Sequence, residues 1–284
     1  MKLTKTLLLA SLLIAPLTQA AENVSIFTSG DLKIHTFHGI SNSHIIETAN
    51  ELRVIDAQMK LSQAQQLKEY IQTLGKPLKQ VILSHNHPDH WFGAQVLENI
   101  APIASSEQVA NDLKTGGGRY IKLMAKKLGE DMPSAVIVPS ERITLGAQNW
   151  DGLEVIVEEY AEQEAHHSTL FKLPLHKIII GQDMFYNNMF LVASEKERNK
   201  NWLKILENFA ENEAKEYSTI MVGHGKASDP SIFQQNIEYL KALDATMSKG
   251  LTQEETTASL IKQFPNKGGK GMLGISMRNM FNPH

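Results

Sequence analysis

The chain has 284 residues, 42% of them hydrophobic and 21% charged, enough for one large domain or two small ones with a self-sufficient core. That composition excludes a disordered, collagenous or coiled-coil protein, and a net charge of −3 argues against binding to nucleic acid or an anionic membrane. No cysteine is present, so disulfides, thiol catalysis, iron–sulfur clusters and thiolate metal sites are excluded. His, Asp and Glu remain as metal ligands, and there are 11 histidines.

The first twenty residues read as an export signal. Lys2 and Lys5 precede an apolar run from Leu7 to Leu17, and Thr18-Gln19-Ala20 offers small residues around a cleavage point. The run is short for a membrane span, and nothing later approaches ~18 consecutive apolar residues. The mature chain is therefore expected to be exported and free of the membrane, and periplasmic if the host is a Gram-negative bacterium. Without Lys2 and Lys5 the net charge falls from −3 to −5.

The mature chain opens with strand-like runs at 24–28, 32–37, 44–47 and 52–55. Leu61 to Leu74 carries apolar residues at helical spacing and ends at Gly75 and Pro77. A buried strand over 79–84, a helix, a strand over 100–105 and a helix over 106–114 follow. Gly116-Gly117-Gly118 predicts a flexible break. Further strands are predicted at 136–138, 143–145, 153–158, 169–173, 177–180 and 218–222, and helices at 202–212 and 232–249. Gly268-Gly269-Lys270-Gly271 reads as a mobile loop, and Met272, Met277 and Met280 as core. Strands and helices alternate in two blocks, which predicts a layered α/β sandwich. Residues 21–284 are expected as one domain, with helices from about residue 229 packed onto it.

One segment carries unusual chemistry. Ser84-His85-Asn86-His87-Pro88-Asp89-His90 places three imidazoles and a carboxylate directly after the apolar run Val81-Ile82-Leu83. At this composition the pattern His-x-His-x-Asp-His arises by chance in about one of two thousand such chains. Imidazole with carboxylate suits a borderline divalent metal such as zinc, and four ligands on one turn are too many for one tetrahedral ion. The spacing therefore suggests two metals. His166-His167, Asp183 and His224 likewise adjoin strand-like runs. His35, His38 and His44 fall in the N-terminal strands, where a structural role is the simpler reading.

The set His85, His87, Asp89, His90, His167, Asp183 and His224 resembles the ligand pattern of the metallo-β-lactamase superfamily, over roughly residues 24–225. The resemblance implies a four-layer αβ/βα sandwich with a metal cleft along one edge of the paired sheets, here with a helical C-terminal tail. It implies that His85, His87 and His167 hold one divalent ion, that Asp89, His90 and His224 hold a second, and that Asp183 bridges them. His166 is the alternative to His167. Trp91 and Phe92 depart from the small residues often found after the first motif, and are expected to narrow the pocket mouth.

The same resemblance implies hydrolysis, with Asp89 both a ligand and a guide for the attacking hydroxide. Tyr186, three residues after Asp183, resembles a tyrosine that assists the substrate carbonyl in some lactonases. The carboxylate at position 183 and the lack of cysteine favour the glyoxalase II and lactonase-like branches over the cysteine-containing β-lactamases. The expected partner is a small molecule, a carbonyl ester or lactone. A β-lactamase, an iron-dependent redox enzyme and a non-catalytic metal-binding protein on the same fold are the alternatives.

Overall fold

The structure is a computed structural model that describes residues 22–282, so the leader read over residues 1–20 lies outside it. Among the described residues no helix is long and apolar enough to cross a membrane.

Two β-sheets form the centre. The first has seven strands in sequence order: β1 (Val24–Ser29), β2 (Leu32–His38), β3 (Asn42–Glu47), β4 (Leu52–Ile55), β5 (Leu78–Ile82), β6 (Ile103–Ser105) and β7 (Glu141–Arg142). Pairing is antiparallel from β1 to β4 and parallel from β4 to β7. The second sheet comprises β8 (Gly146–Trp150), β9 (Leu153–Ala161), β10 (His167–Leu173), β11 (Ile178–Tyr186) and β12 (Thr219–His224), in reverse sequence order across the sheet. Only β11 and β12 run parallel there.

Alternation along the strands sorts the core. Ile34, Ile46, Ile55 and Ile82 from the first sheet meet Val155, Phe171, Ile178 and Ile180 from the second. The outer face of the first sheet packs on α1 (Leu61–Thr73), α2 (Pro88–Trp91), α3 (Ala94–Leu97) and α4 (Glu107–Leu128), through residues such as Val54, Val81, Leu67 and Leu113. The outer face of the second is covered by α5 (Lys196–Glu211), α6 (Ser231–Met247), α7 (Gln253–Gln263) and α8 (Lys270–Phe281). This is the four-layer αβ/βα sandwich with added C-terminal helices.

Several local expectations change. The triple glycine is no break: it lies inside the 22-residue helix α4, whose N-cap Ser106 accepts from the Val109 amide. A Cβ on Gly117 would crowd Val136, so the glycine admits a neighbour where flexibility was expected. Residues 136–138 form no strand, and 143–145 is a gap between β7 and β8. Gly268 is bridged to the main chain of Asn188 and Phe190, and Gly269, at φ +71°, starts α8. Met277 is buried in the core, with Met272 and Met280 packed against it.

Candidate metal centre

The parallel pairs set the geometry. The ends of β4, β5 and β12 and the latter half of β11 reach one edge of the sandwich, where the antiparallel β10 begins. Asp56 follows β4, the His85–His90 segment follows β5, and Asp183 and His224 lie on β11 and β12. Register shifts around Gln182 in β11, where Gln182 adopts φ +45°, turn Asp183 toward this edge. Gly223 makes room for it, because a Cβ there would overlap Asp183 Oδ1.

The donors form two four-membered groups, in each of which one atom per residue lies within 4.8 Å of the others, and Asp56 with His85 and His90 makes a smaller third behind them. His85, His87, Glu164 and Asp183 form the first; Asp89, His90, Asp183 and His224 form the second. Asp183 belongs to both. In the first group His87 Nδ1 is 3.1 Å from Glu164 Oε1, and His85 Nε2 is 3.9 Å from Asp183 Oδ2. In the second, His90 Nε2 is 3.2 Å from Asp183 Oδ1, and His224 Nε2 is 3.2 Å from both Asp89 Oδ2 and Asp183 Oδ2.

His167 does not join them. Its Nδ1 is 2.9 Å from Asp112 Oδ2 on α4, and His166 pairs with Glu162 on the exposed side. Glu164 occupies the position assigned to His167, so the third side chain of the first group is a carboxylate. Sequence reasoning missed it because an acid two residues before a His-His pair carries no signal of its own. Asp56 was missed as well, although the rule that picked Asp183, an acid at the end of an apolar strand, fits Val54-Ile55-Asp56 equally well. His35, His38 and His44 stay out of both groups: His35 bonds Tyr70 and Glu47, His38 bonds Asn42, and His44 bonds Thr36 and Val222.

A shell of hydrogen bonds aims the ligands. Fully buried Asp56, at φ +65°, accepts from His90 Nδ1, the Ser84 amide, the Ser84 hydroxyl and Gln182 Nε2 at 2.6–2.7 Å. The Ser84 oxygen in turn accepts from His85 Nδ1, and His224 Nδ1 donates to the Ile40 carbonyl. Each bond leaves the opposite nitrogen facing inward. Trp91 and Phe92 are wholly buried in the core behind the motif instead of at the pocket mouth.

Tyr186 is also fully buried. Its hydroxyl donates to Asp183 Oδ2 at 2.9 Å and its ring stacks on His224. Burial and the adjacent carboxylates hold its pKa well above the usual phenol value. The proton expected to meet a substrate oxygen is thus engaged with a carboxylate.

The residues fit a metal pair. His85 Nε2, His90 Nε2, Glu164 Oε2 and Asp183 Oδ1 are buried without a hydrogen-bond partner, an expensive arrangement unless a cation completes it. Burial, then the neighbouring His90 and His87, push the pKa of His85 well down, so its nitrogen is a free base. Burial opposes a charge on His224, but Asp183 and Asp89 outweigh it and raise its pKa to about 10. Protons there substitute for the positive charge that three converging carboxylates demand. Side-chain exposure of 21% at His87 and 17% at Asp89, against 3% or less at His85, His90, Glu164, Asp183 and His224, marks the open side of the centre.

Comparison with known proteins bears on the family and the fold. The family model described as metallo-beta-lactamase superfamily matches residues 37–224. Among solved structures, the stereoselective inverting sec-alkylsulfatase from Pseudomonas sp. is similar at 18% identity with a TM-score of 0.66, over 94% of this chain and 52% of that chain. This chain thus spans about half the length of the alkylsulfatase. A metallo-beta-lactamase from Pontibacter korlensis is similar at 19% identity and TM-score 0.56, over 77% of this chain and 99% of that one. Another from Pseudomonas aeruginosa, in a mono-zinc form, is similar at 15% identity and TM-score 0.58, over 77% and 95%. No curated protein matches the chain. Matched across about two thirds of its length, a stretch that includes every donor of both groups, this chain belongs to the metallo-beta-lactamase superfamily.

Proposed function

We propose that the protein is an exported hydrolase that uses two zinc ions to cleave a carbonyl ester or lactone. The observation that carries this reading is the set of unpartnered buried donor atoms shared between two groups through Asp183. His85, His87 and Glu164 would hold one ion, Asp89, His90 and His224 the other, and Asp183 both. When bound, such a pair supplies Lewis-acid polarisation of the substrate and makes water acidic enough to attack at neutral pH. The side chains do the rest. Asp89 turns Oδ2 to His90 and His224 and keeps Oδ1 to orient the attacking water and accept its proton. Asp56 and Ser84 lock the imidazoles so that no reorganisation accompanies the reaction.

A second reading, a sulfate ester as substrate, is favoured by Arg198. Its Nη2 donates to the Glu164 carbonyl at 2.8 Å, which brings a guanidinium to the rim of the centre, where an anionic substrate would pair with it. The alkylsulfatase likeness also extends through the C-terminal helices, where the β-lactamase likenesses cover less of the chain.

Metal analysis joined to a substrate panel tests the proposal. Purified protein should carry two equivalents of zinc and hydrolyse a lactone or aryl ester faster than a secondary alkyl sulfate, a thioester or a cephalosporin, with activity lost on chelation. Full activity in verified metal-free protein would overturn it, and bound metal without turnover on any member would make it a binding protein. Faster sulfate or cephalosporin cleavage would move it to those branches, and iron in place of zinc would point to redox chemistry. An N-terminus at Ala21 in the exported fraction tests the leader.

A further inference from the structure

Helix α4 lays one face along the metal-ligand loop. Asp112, Gly116 and Tyr120 recur once per turn on it. Asp112 holds His167, the Cβ position of Gly116 is 3.7 Å from Asn86 Nδ2, and the ring of Tyr120 meets that of His87 edge-on at 6.0 Å between centroids. Gly117, on the neighbouring face, lets the helix pack against Val136, which a side chain there would strike.

That approach brings Tyr120 to the open side of the centre. His87, which it touches, is among the more exposed donors, and Tyr120 is itself half-buried. Among the described residues its hydroxyl has no hydrogen-bond partner. Burial first, then the nearby Glu164 carboxylate, push its pKa up to about 12, so the phenol keeps its proton at neutral pH. Arg119 and Arg198 are near enough to add an opposing positive field. Tyr186, by contrast, is sealed and bonded to Asp183. Of these two phenols beside the cluster, only that of Tyr120 is free to meet a ligand.

We propose that Tyr120 is a catalytic residue whose hydroxyl donates a hydrogen bond to the substrate oxygen that gains negative charge during hydrolysis. This rests on the ester-hydrolase reading above. As water attacks the carbonyl carbon, its proton passes to Asp89 and the C=O π pair moves onto oxygen, where the Tyr120 O–H stabilises it without transferring its proton. The carbonyl then re-forms as the bond to the leaving oxygen breaks, and that oxygen takes the proton from Asp89.

Tyr120→Phe keeps the ring against His87 and removes only the donor. On whichever panel ester the zinc-loaded wild type cleaves, kcat should fall about 10- to 100-fold with KM changed less than threefold. Phenylphosphonate, a tetrahedral anion, should bind the zinc-loaded variant about tenfold more weakly by calorimetry. Zinc content and Tm should be unchanged. Wild-type kcat together with wild-type phenylphosphonate affinity, or loss of zinc from the variant, would overturn the assignment. If the zinc-loaded wild type cleaves nothing yet binds phenylphosphonate in a Tyr120-dependent way, the hydrolase reading fails and the Tyr120 contact stands.

Discussion

His87 Nδ1 and Glu164 Oε1 face each other at 3.1 Å, while His167, three residues beyond Glu164, turns away to Asp112. The first group of donors is thus two imidazoles and two carboxylates, a harder and more negative set than three imidazoles would make. Glu164→Gln should halve the bound metal or weaken one site at least tenfold, measured by elemental analysis after dialysis, whereas His167→Ala should keep both equivalents. The reverse result would restore His167 as the ligand.

Asp56 touches no open space, yet four donors converge on it. Asp56→Asn keeps the volume but presents an amide where only acceptors fit, so His90 loses its anchor. Metal affinity should drop about 10- to 100-fold while the secondary structure persists. A competition titration with a chromophoric chelator reads this directly, and unchanged affinity would remove Asp56 from the site.

Because Asp183 serves both groups, crowding it should cost both sites together. Gly223→Ala places a methyl on Asp183 Oδ1. Its metal content should fall below one equivalent, a larger loss than for Glu164→Gln, and two retained equivalents would show that Asp183 can move without consequence.

Helix α4 makes the opposite prediction for a neighbouring glycine. Gly118 is exposed inside the helix, and its Cβ position meets nothing within 4 Å. Gly118→Ala should therefore stabilise the protein by about 0.5–1 kcal/mol in urea unfolding. A loss of stability would return the glycines to the role of a hinge.

His44 gives a pH signature apart from the ligands. Burial, against the partly compensating bond to the Val222 carbonyl, lowers its pKa from 6.5 to about 4. A depressed folded-state value means the neutral form stabilises the fold above pH 6.5, and this is lost as pH falls toward 4. In metal-free protein, the stability advantage of the wild type over His44→Gln should shrink by roughly 3 kcal/mol across that interval. A constant difference, or an NMR titration of His44 near 6.5, would contradict it.

The features legible in the chain were those written in contiguous residues. Val81-Ile82-Leu83 running into His85–His90 places a strand and four donors within ten positions, and local sterics then put them at one sheet rim. The apolar runs of β11 and β12 similarly announced Asp183 and His224, because a polar side chain in an otherwise buried strand emerges where the strand reaches the sheet rim. The alternation of strands and helices was enough for the layered architecture.

Tertiary structure alone chose between Glu164 and His167. Both lie near the start of β10, and which one faces the centre depends on α4 supplying Asp112, more than fifty residues earlier, as a partner for the histidine. It likewise turned the glycine run from a break into helix, with Gly117 packed against Val136, a neighbour that only the folded chain supplies. Local sequence encodes backbone preference and burial, whereas the direction of a polar side chain is decided by the partner that satisfies it, and that partner is a property of the folded chain.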